Sequence, residues 1–239
     1  EKDICQNYYE KFIFALEVMY DYKPSDFEKL KDEIIKIEER IDSDHIEYFG
    51  ELCSHISYIG KILPDDVKTT IRGLVKNNTF LKLKFFPFIE DFFVDIAGYA
   101  LNMWEEDFEQ FIKAKQICSY DTSTVFNNAI NNMLQDYVTA SNWNNANGKW
   151  TALNNCIKYE ILNEEQIDFI LDKAPQNRGW YHYENNQLAG HEALFIKLYE
   201  YSKRKYSNLQ IKWQTFINMA LQNKLEFNDL KNKIDADVQ

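Results

Sequence analysis

Helix-starting signals recur along this chain at a spacing that few folds can use. Each follows an apolar stretch and joins helix-initiating polar residues to a bulky apolar one: Pro24-Ser25-Asp26-Phe27, Pro64-Asp65-Asp66-Val67, Glu105-Glu106-Asp107-Phe108, Asn163-Glu164-Glu165-Gln166-Ile167 and Phe227-Asn228-Asp229-Leu230. The bulky members are separated by 40, 41, 59 and 63 residues. The first two intervals have the rhythm of stacked helical pairs, and the last two do not keep it. Only 7 Gly and 4 Pro occur in 239 residues, against roughly 12% for the two together in ordinary globular chains, which removes the turn-rich sandwiches and barrels. The expected fold is all-α, with antiparallel helical pairs stacked as an irregular HEAT-like superhelix or helical bundle.

The apolar periodicity fills in the helices. Tyr9, Phe12, Ile13, Leu16 and Met19 mark a first helix, and after Pro24 a Ser25/Glu28 capping box opens a second through Leu30, Ile34 and Ile41. Ile46, Phe49, Leu52 and Ile56, then Val67, Ile71 and Val75, form the next pair, which Asn77-Asn78 stops. Phe80 to Phe86 alternates briefly as a strand does, but no partner strand of similar quality occurs. From Phe88 through Ile89, Phe92, Phe93, Ile96, Ala100 and Leu101 to Trp104, one unbroken stripe at i, i+3 and i+4 predicts a central helix.

Between Asp121 and Asn155 the chain becomes dense in Asn, and Ser141 to Gly148 is its clearest turn signal. It is too short for a flexible linker. A single domain over 1–239 is therefore expected, with a seam at 141–149 between its halves. Helices resume through Trp150, Leu153 and Ile157, then Ile167 and Leu171, then from Glu192 to Tyr206, with Ile211 to Leu221 and Leu230 to Ile234 closing the chain.

Charge narrows the partners. With 27 basic against 38 acidic residues the net charge is −11, a field that repels phosphate backbones unless a local basic patch overcomes it. The best patch is Lys197, Lys203, Arg204, Lys205 and Lys212, interrupted by Glu200; on an amphipathic helix this pattern reads as a solvated face with cations at the helix C-terminus. Nucleic acid is thus disfavoured and a basic partner favoured. The acids Glu90, Asp91 and Asp95, with Glu105, Glu106 and Asp107, read as a solvated acidic face, because a carboxylate-bridged metal pair in a bundle needs Glu-x-x-His pairs that are absent.

Cys5, Cys53, Cys118 and Cys156 lie 48, 65 and 38 positions apart without a CxxC pair, so reduced cysteines in a cytoplasmic protein are expected, with no metal and no cofactor. No stretch of about 18 apolar residues would span a membrane. The opening Glu1-Lys2-Asp3 is no signal-peptide start; the lack of an initiator Met is compatible with a processed or truncated end at Glu1, which leaves a removed export signal open.

The richest chemistry lies between Asn177 and Glu192, where Arg178, Trp180, Tyr181, His182, Tyr183, Glu184, His191 and Glu192 fall within sixteen positions. The His spacing does not make a metal site, and no HExxH pattern occurs. An aromatic and Arg-bearing loop of this kind is the composition of a protein-binding hot spot. Arg178 followed by His182 also resembles the Arg-then-His pairing of helical HEPN-type ribonucleases; the resemblance implies an imidazole acid/base and a guanidinium on phosphate, acting without metal. Here the gap is three residues, shorter than the family pattern, and Gly179 interrupts the helix.

No phosphate-binding loop, nucleophile elbow or Cys/His signature is present. The expected function is a non-catalytic, acidic, helical protein-binding module, most concretely an immunity- or antitoxin-like inhibitor of a basic toxin. The alternatives are the metal-independent ribonuclease using Arg178 and His182, and a structural scaffold domain.

Overall fold

The structure is a computed structural model that describes residues 46–55, 57–61, 63–139, 143–176, 185–223 and 227–238. Every regular element among them is helical. The all-α expectation holds. The first two expected helices, with the Ser25/Glu28 capping box, lie outside the described residues.

In chain order the helices are α1 (Ile46–His55), α2 (Ser57–Lys61), α3 (Asp65–Val75), α4 (Thr79–Phe85), α5 (Glu90–Leu101), α6 (Glu105–Gln116), α7 (Ser123–Thr139), α8 (Trp143–Lys158), α9 (Glu164–Lys173), α10 (Asn185–Lys205), α11 (Gln210–Gln222) and α12 (Asn228–Val238). The start signals at Asp65, Glu105, Asn163 and Asn228 each coincide with a helix N-terminus. At α9 the chemistry is explicit: Asn163 Oδ1 accepts from the Gln166 amide at 2.9 Å while Gln166 Oε1 accepts from the Asn163 amide at 3.0 Å, a reciprocal capping box. Residues 80–85 are helical rather than extended. Asn78 Oδ1 caps this turn by accepting from the Leu81 amide at 3.0 Å, and Leu81 and Phe85, four apart, are both buried.

Two compact units form, one from Glu1–Ala97 with Glu109–Val125 and one from Gly98–Phe108 with Phe126–Gln239. Both flanks of the 141–149 stretch belong to the second unit.

The first unit is built on rings. Phe86, Phe93 and Phe111 form a triangle with centroids 5.1 to 6.1 Å apart, the Phe93 and Phe111 planes stacked within 2°, and the Tyr120 hydroxyl donates to the Phe86 carbonyl. Each such pair adds about 1 kcal/mol beyond burial. Gly60 is required here: a Cβ at that position would stand 2.4 Å from the buried Phe88 ring.

In the second unit, Phe195 of α10 stacks on Phe216 of α11 at 5.0 Å and meets Phe227 at 5.6 Å. Trp213 and Ser202 are satisfied inside: Trp213 Nε1 donates to Ser202 Oγ at 2.8 Å, and Ser202 Oγ donates to the Tyr199 carbonyl at 2.9 Å. The Asn-rich stretch differs from its reading as a turn, because residues 143–148 are the first turns of α8. Asn and Gly lower helix propensity by only about 1 kcal/mol each, and the buried stripe Ala152, Leu153, Cys156 and Ile157 further along the same helix offsets that cost.

Candidate functional site

Of the residues singled out by sequence, Arg178, Trp180, Tyr181, His182, Tyr183 and Glu184 lie outside the described residues. His191 and Glu192 are described, and both sit in α10, which begins at Asn185 rather than at Glu192. His191 is 2% exposed, with its Nδ1 2.7 Å from the Tyr137 hydroxyl of α7. Burial among apolar neighbours pulls its pKa down to about 4, so the ring is neutral at physiological pH. A ring at that depth offers a partner no surface. Glu192 is half-buried, and its Oε1 accepts from the amides of Asp229 at 2.8 Å and Leu230 at 3.1 Å. It thereby caps α12 from a neighbouring helix, where a carboxylate meets both the orphan donors and the positive end of the helix dipole.

The basic patch is engaged by the protein's own polar groups. Lys203 pairs with Asp237 at 2.7 Å, Arg204 and Lys205 with Glu160 at 2.7 and 3.4 Å, and Lys212 with Asp168, while Lys197 donates to Asn154 at 3.1 Å. The interrupting Glu200 is itself paired with Lys233. Hydrogen bonds from Arg204 and Lys205 hold the Glu160 carboxyl below its usual range, and those from Lys203 and Tyr199 do the same for Asp237. Glu160 stands at φ 52°, a left-handed conformation that usually calls for glycine. It closes α8: the Ile161 amide reaches the Cys156 carbonyl and the Glu160 amide the Ile157 carbonyl, both at 3.1 Å. That backbone places a carboxylate between two cations.

The acidic residues divide in two. In the first unit Asp91 pairs with Arg72 at 2.8 Å and Asp95 with Lys82 at 2.5 Å. In the second, Glu105, Glu106 and Asp107 occupy the first turn of α6; Glu105 pairs with Lys158, and Glu106 and Asp107 are exposed without an ion pair among the described residues.

Immediately before those acids stands the residue that periodicity misplaced. Trp104, expected in the core stripe, is 81% exposed, and Tyr99 is 56% exposed. The stripe ends at Leu101, where the Asn102 and Met103 backbone N–H groups donate back to the Tyr99 and Ala100 carbonyls at 3.0 and 3.1 Å. This turn is fixed from α8. Buried Asn155 donates through Nδ2 to the carbonyls of Leu101 at 3.1 Å and Met103 at 3.0 Å. Sequence reasoning missed Asn155, although its position between Ala152 and Cys156 on an apolar face was a usable signal.

Cys53, Cys118 and Cys156 are free thiols, and burial raises the pKa of Cys118 and of Cys156, which makes both poor nucleophiles. Among the described residues no cluster of His, Cys, Asp and Glu is arranged to hold a metal ion, and no helix is long and apolar enough to cross a membrane. No protein-family model matches this chain, and no curated protein or solved structure matches it.

Proposed function

We propose that this chain is a non-catalytic, acidic, helical binding module for a basic protein, most concretely an inhibitor of the immunity or antitoxin class that seats on the cationic site of a toxin. The observation that carries the reading is the engagement of Lys197, Lys203, Arg204, Lys205 and Lys212 by groups of the same unit. Three carboxylates, Asp237, Glu160 and Asp168, stand against these five cations, so the patch offsets little of the net charge of −11. A field of this sign speeds encounter with a cationic partner and slows it with nucleic acid.

The test is affinity capture with the full chain, followed by purification of what binds. A strongly basic protein, released by moderate salt and inhibited in its own activity by the chain, supports the reading. RNA cleavage by the chain itself that disappears in His182→Ala, with folding intact, overturns it in favour of the ribonuclease.

A further inference from the structure

The exposed corner around Trp104 deepens that reading. A solitary apolar residue on a protein surface needs no explanation, but this one is presented by a fixed support. Asn155 clamps the Leu101 and Met103 carbonyls at 3.1 and 3.0 Å, Lys158 pairs with Glu105, the Tyr159 hydroxyl donates to the Glu105 carbonyl at 3.4 Å, and the Phe108 and Tyr159 rings meet edge-on at 5.3 Å. Two of those groups, Asn155 and Phe108, are 1% exposed or less. The backbone on either side of the indole is thus tied to α8 while the indole itself stays 81% exposed. An indole so exposed itself contributes little to folding. Its fixed support removes the ordering cost that an anchor residue otherwise pays on binding.

The charges at the corner select the occupant. Glu105, Glu106 and Asp107 follow Trp104 directly, three carboxylates against the Lys158 ammonium. Their place in the first turn of a helix is explained by the helix dipole alone; the exposed indole is not explained by it. An indole face beside carboxylates suits a guanidinium, which stacks on the ring and is bound by carboxylate oxygens in its own plane. Lysine has the charge without the planar fork.

We infer that the Trp104–Asp107 corner is the anchor on which an arginine-bearing segment of the basic partner docks. The inference rests on the basic-partner reading above. A second copy of this chain is disfavoured as the occupant, since each copy carries −11.

The experiment titrates the nitrogen-15-labelled full chain with an arginine–glycine repeat peptide, a lysine–glycine repeat and a glutamate–glycine repeat. The readout is the indole N–H signal of Trp104, assigned by its loss in Trp104→Phe. The arginine peptide is expected to shift that signal to saturation, the lysine peptide to bind several-fold more weakly, and the glutamate peptide to leave it unmoved. Trp104→Ala is expected to weaken the arginine peptide by about tenfold or more at an unchanged melting temperature. Ile211→Ser removes another exposed apolar side chain of the same unit, 76% exposed, and leaves the affinity as it was. If Trp104→Ala binds the arginine peptide like the parent chain, the corner is overturned while the basic-partner reading stands. If the parent chain binds that peptide no better than the glutamate peptide, both are overturned. A Trp104 signal that shifts with protein concentration alone, with a dimer mass in solution, assigns the corner to a second copy and overturns the arginine segment.

Discussion

The Tyr137 hydroxyl and His191 Nδ1 lie 2.7 Å apart inside the second unit, with 0% and 2% of their surfaces exposed. Burial holds the imidazole pKa at about 4, whereas the unfolded chain titrates this group near 6.5. Between those values the unfolded state binds a proton that the folded state refuses. Stability is therefore complete above about pH 6.5 and falls as pH falls toward 4, by roughly 2 kcal/mol between pH 7 and pH 5. Urea unfolding at the two pH values checks this in the parent chain and in His191→Asn, which keeps an acceptor near Nδ1 but does not titrate. The expected result is a smaller pH dependence in the variant; equal dependence in both chains would remove His191 as its source. Glu160 and Asp237, whose carboxyls are held below their usual range, contribute stability above the ordinary carboxylate pKa. That contribution is lost at more acidic pH, as pH falls through their folded values.

Asn155 supplies both clamps at the Trp104 corner, so its removal leaves the Leu101 and Met103 carbonyls without that donor. Asn155→Ala is expected to cost about 2 kcal/mol in urea unfolding. Asn155→Asp, nearly the same shape, is expected to cost more, because a carboxylate has no proton to donate and turns its charge on two carbonyl oxygens. An aspartate variant as stable as the parent would contradict the clamp.

Gly60 and Gly73 should respond in opposite directions to alanine. At Gly60 the new methyl would stand 2.4 Å from the Phe88 ring, and the expected cost is about 1–3 kcal/mol. At Gly73, inside α3, it would meet nothing within 4 Å, so the gain in helix propensity should add about 0.5–1 kcal/mol. Thermal unfolding of the two single variants separates them, and a neutral Gly60→Ala would mean that α2 stands further from Phe88 than described.

Glu192 caps α12 by accepting from the Asp229 and Leu230 amides. Glu192→Ala is expected to cost about 1 kcal/mol, and Glu192→Gln, which keeps an acceptor oxygen, to recover most of it. Hydrogen exchange at Asp229 and Leu230 reports the cap locally. Unchanged protection in the alanine variant would show that other groups hold these amides.

Helix starts were legible in the sequence because capping is local. The signals at Asp65, Glu105, Asn163 and Asn228 are each written in residues of one turn, although at Asn228 the carboxylate that meets the first amides comes from Glu192. Trp104 was misassigned because the apolar stripe runs past Leu101 with neither Gly nor Pro to stop it; the stop is the tertiary clamp from Asn155, 54 residues distant from Leu101. Composition predicts a turn at residues 143–148, and packing of the rest of α8 makes them helical. Side-chain chemistry alone groups His191 and Glu192 with a binding loop, while their partners, Tyr137 and the start of α12, lie 54 and 37 residues away in sequence. Pairing of the Lys203–Lys205 cations with Glu160 and Asp237 is equally invisible in sequence, since at least 34 residues separate the partners.

The most direct measurement of a basic-partner function is the association rate constant between the full chain and the basic protein it captures, followed from about 50 to about 500 mM salt. Electrostatic attraction to a surface of net charge −11 predicts a rate that falls about tenfold or more across that range. A rate that stays flat, or rises with salt, would contradict it.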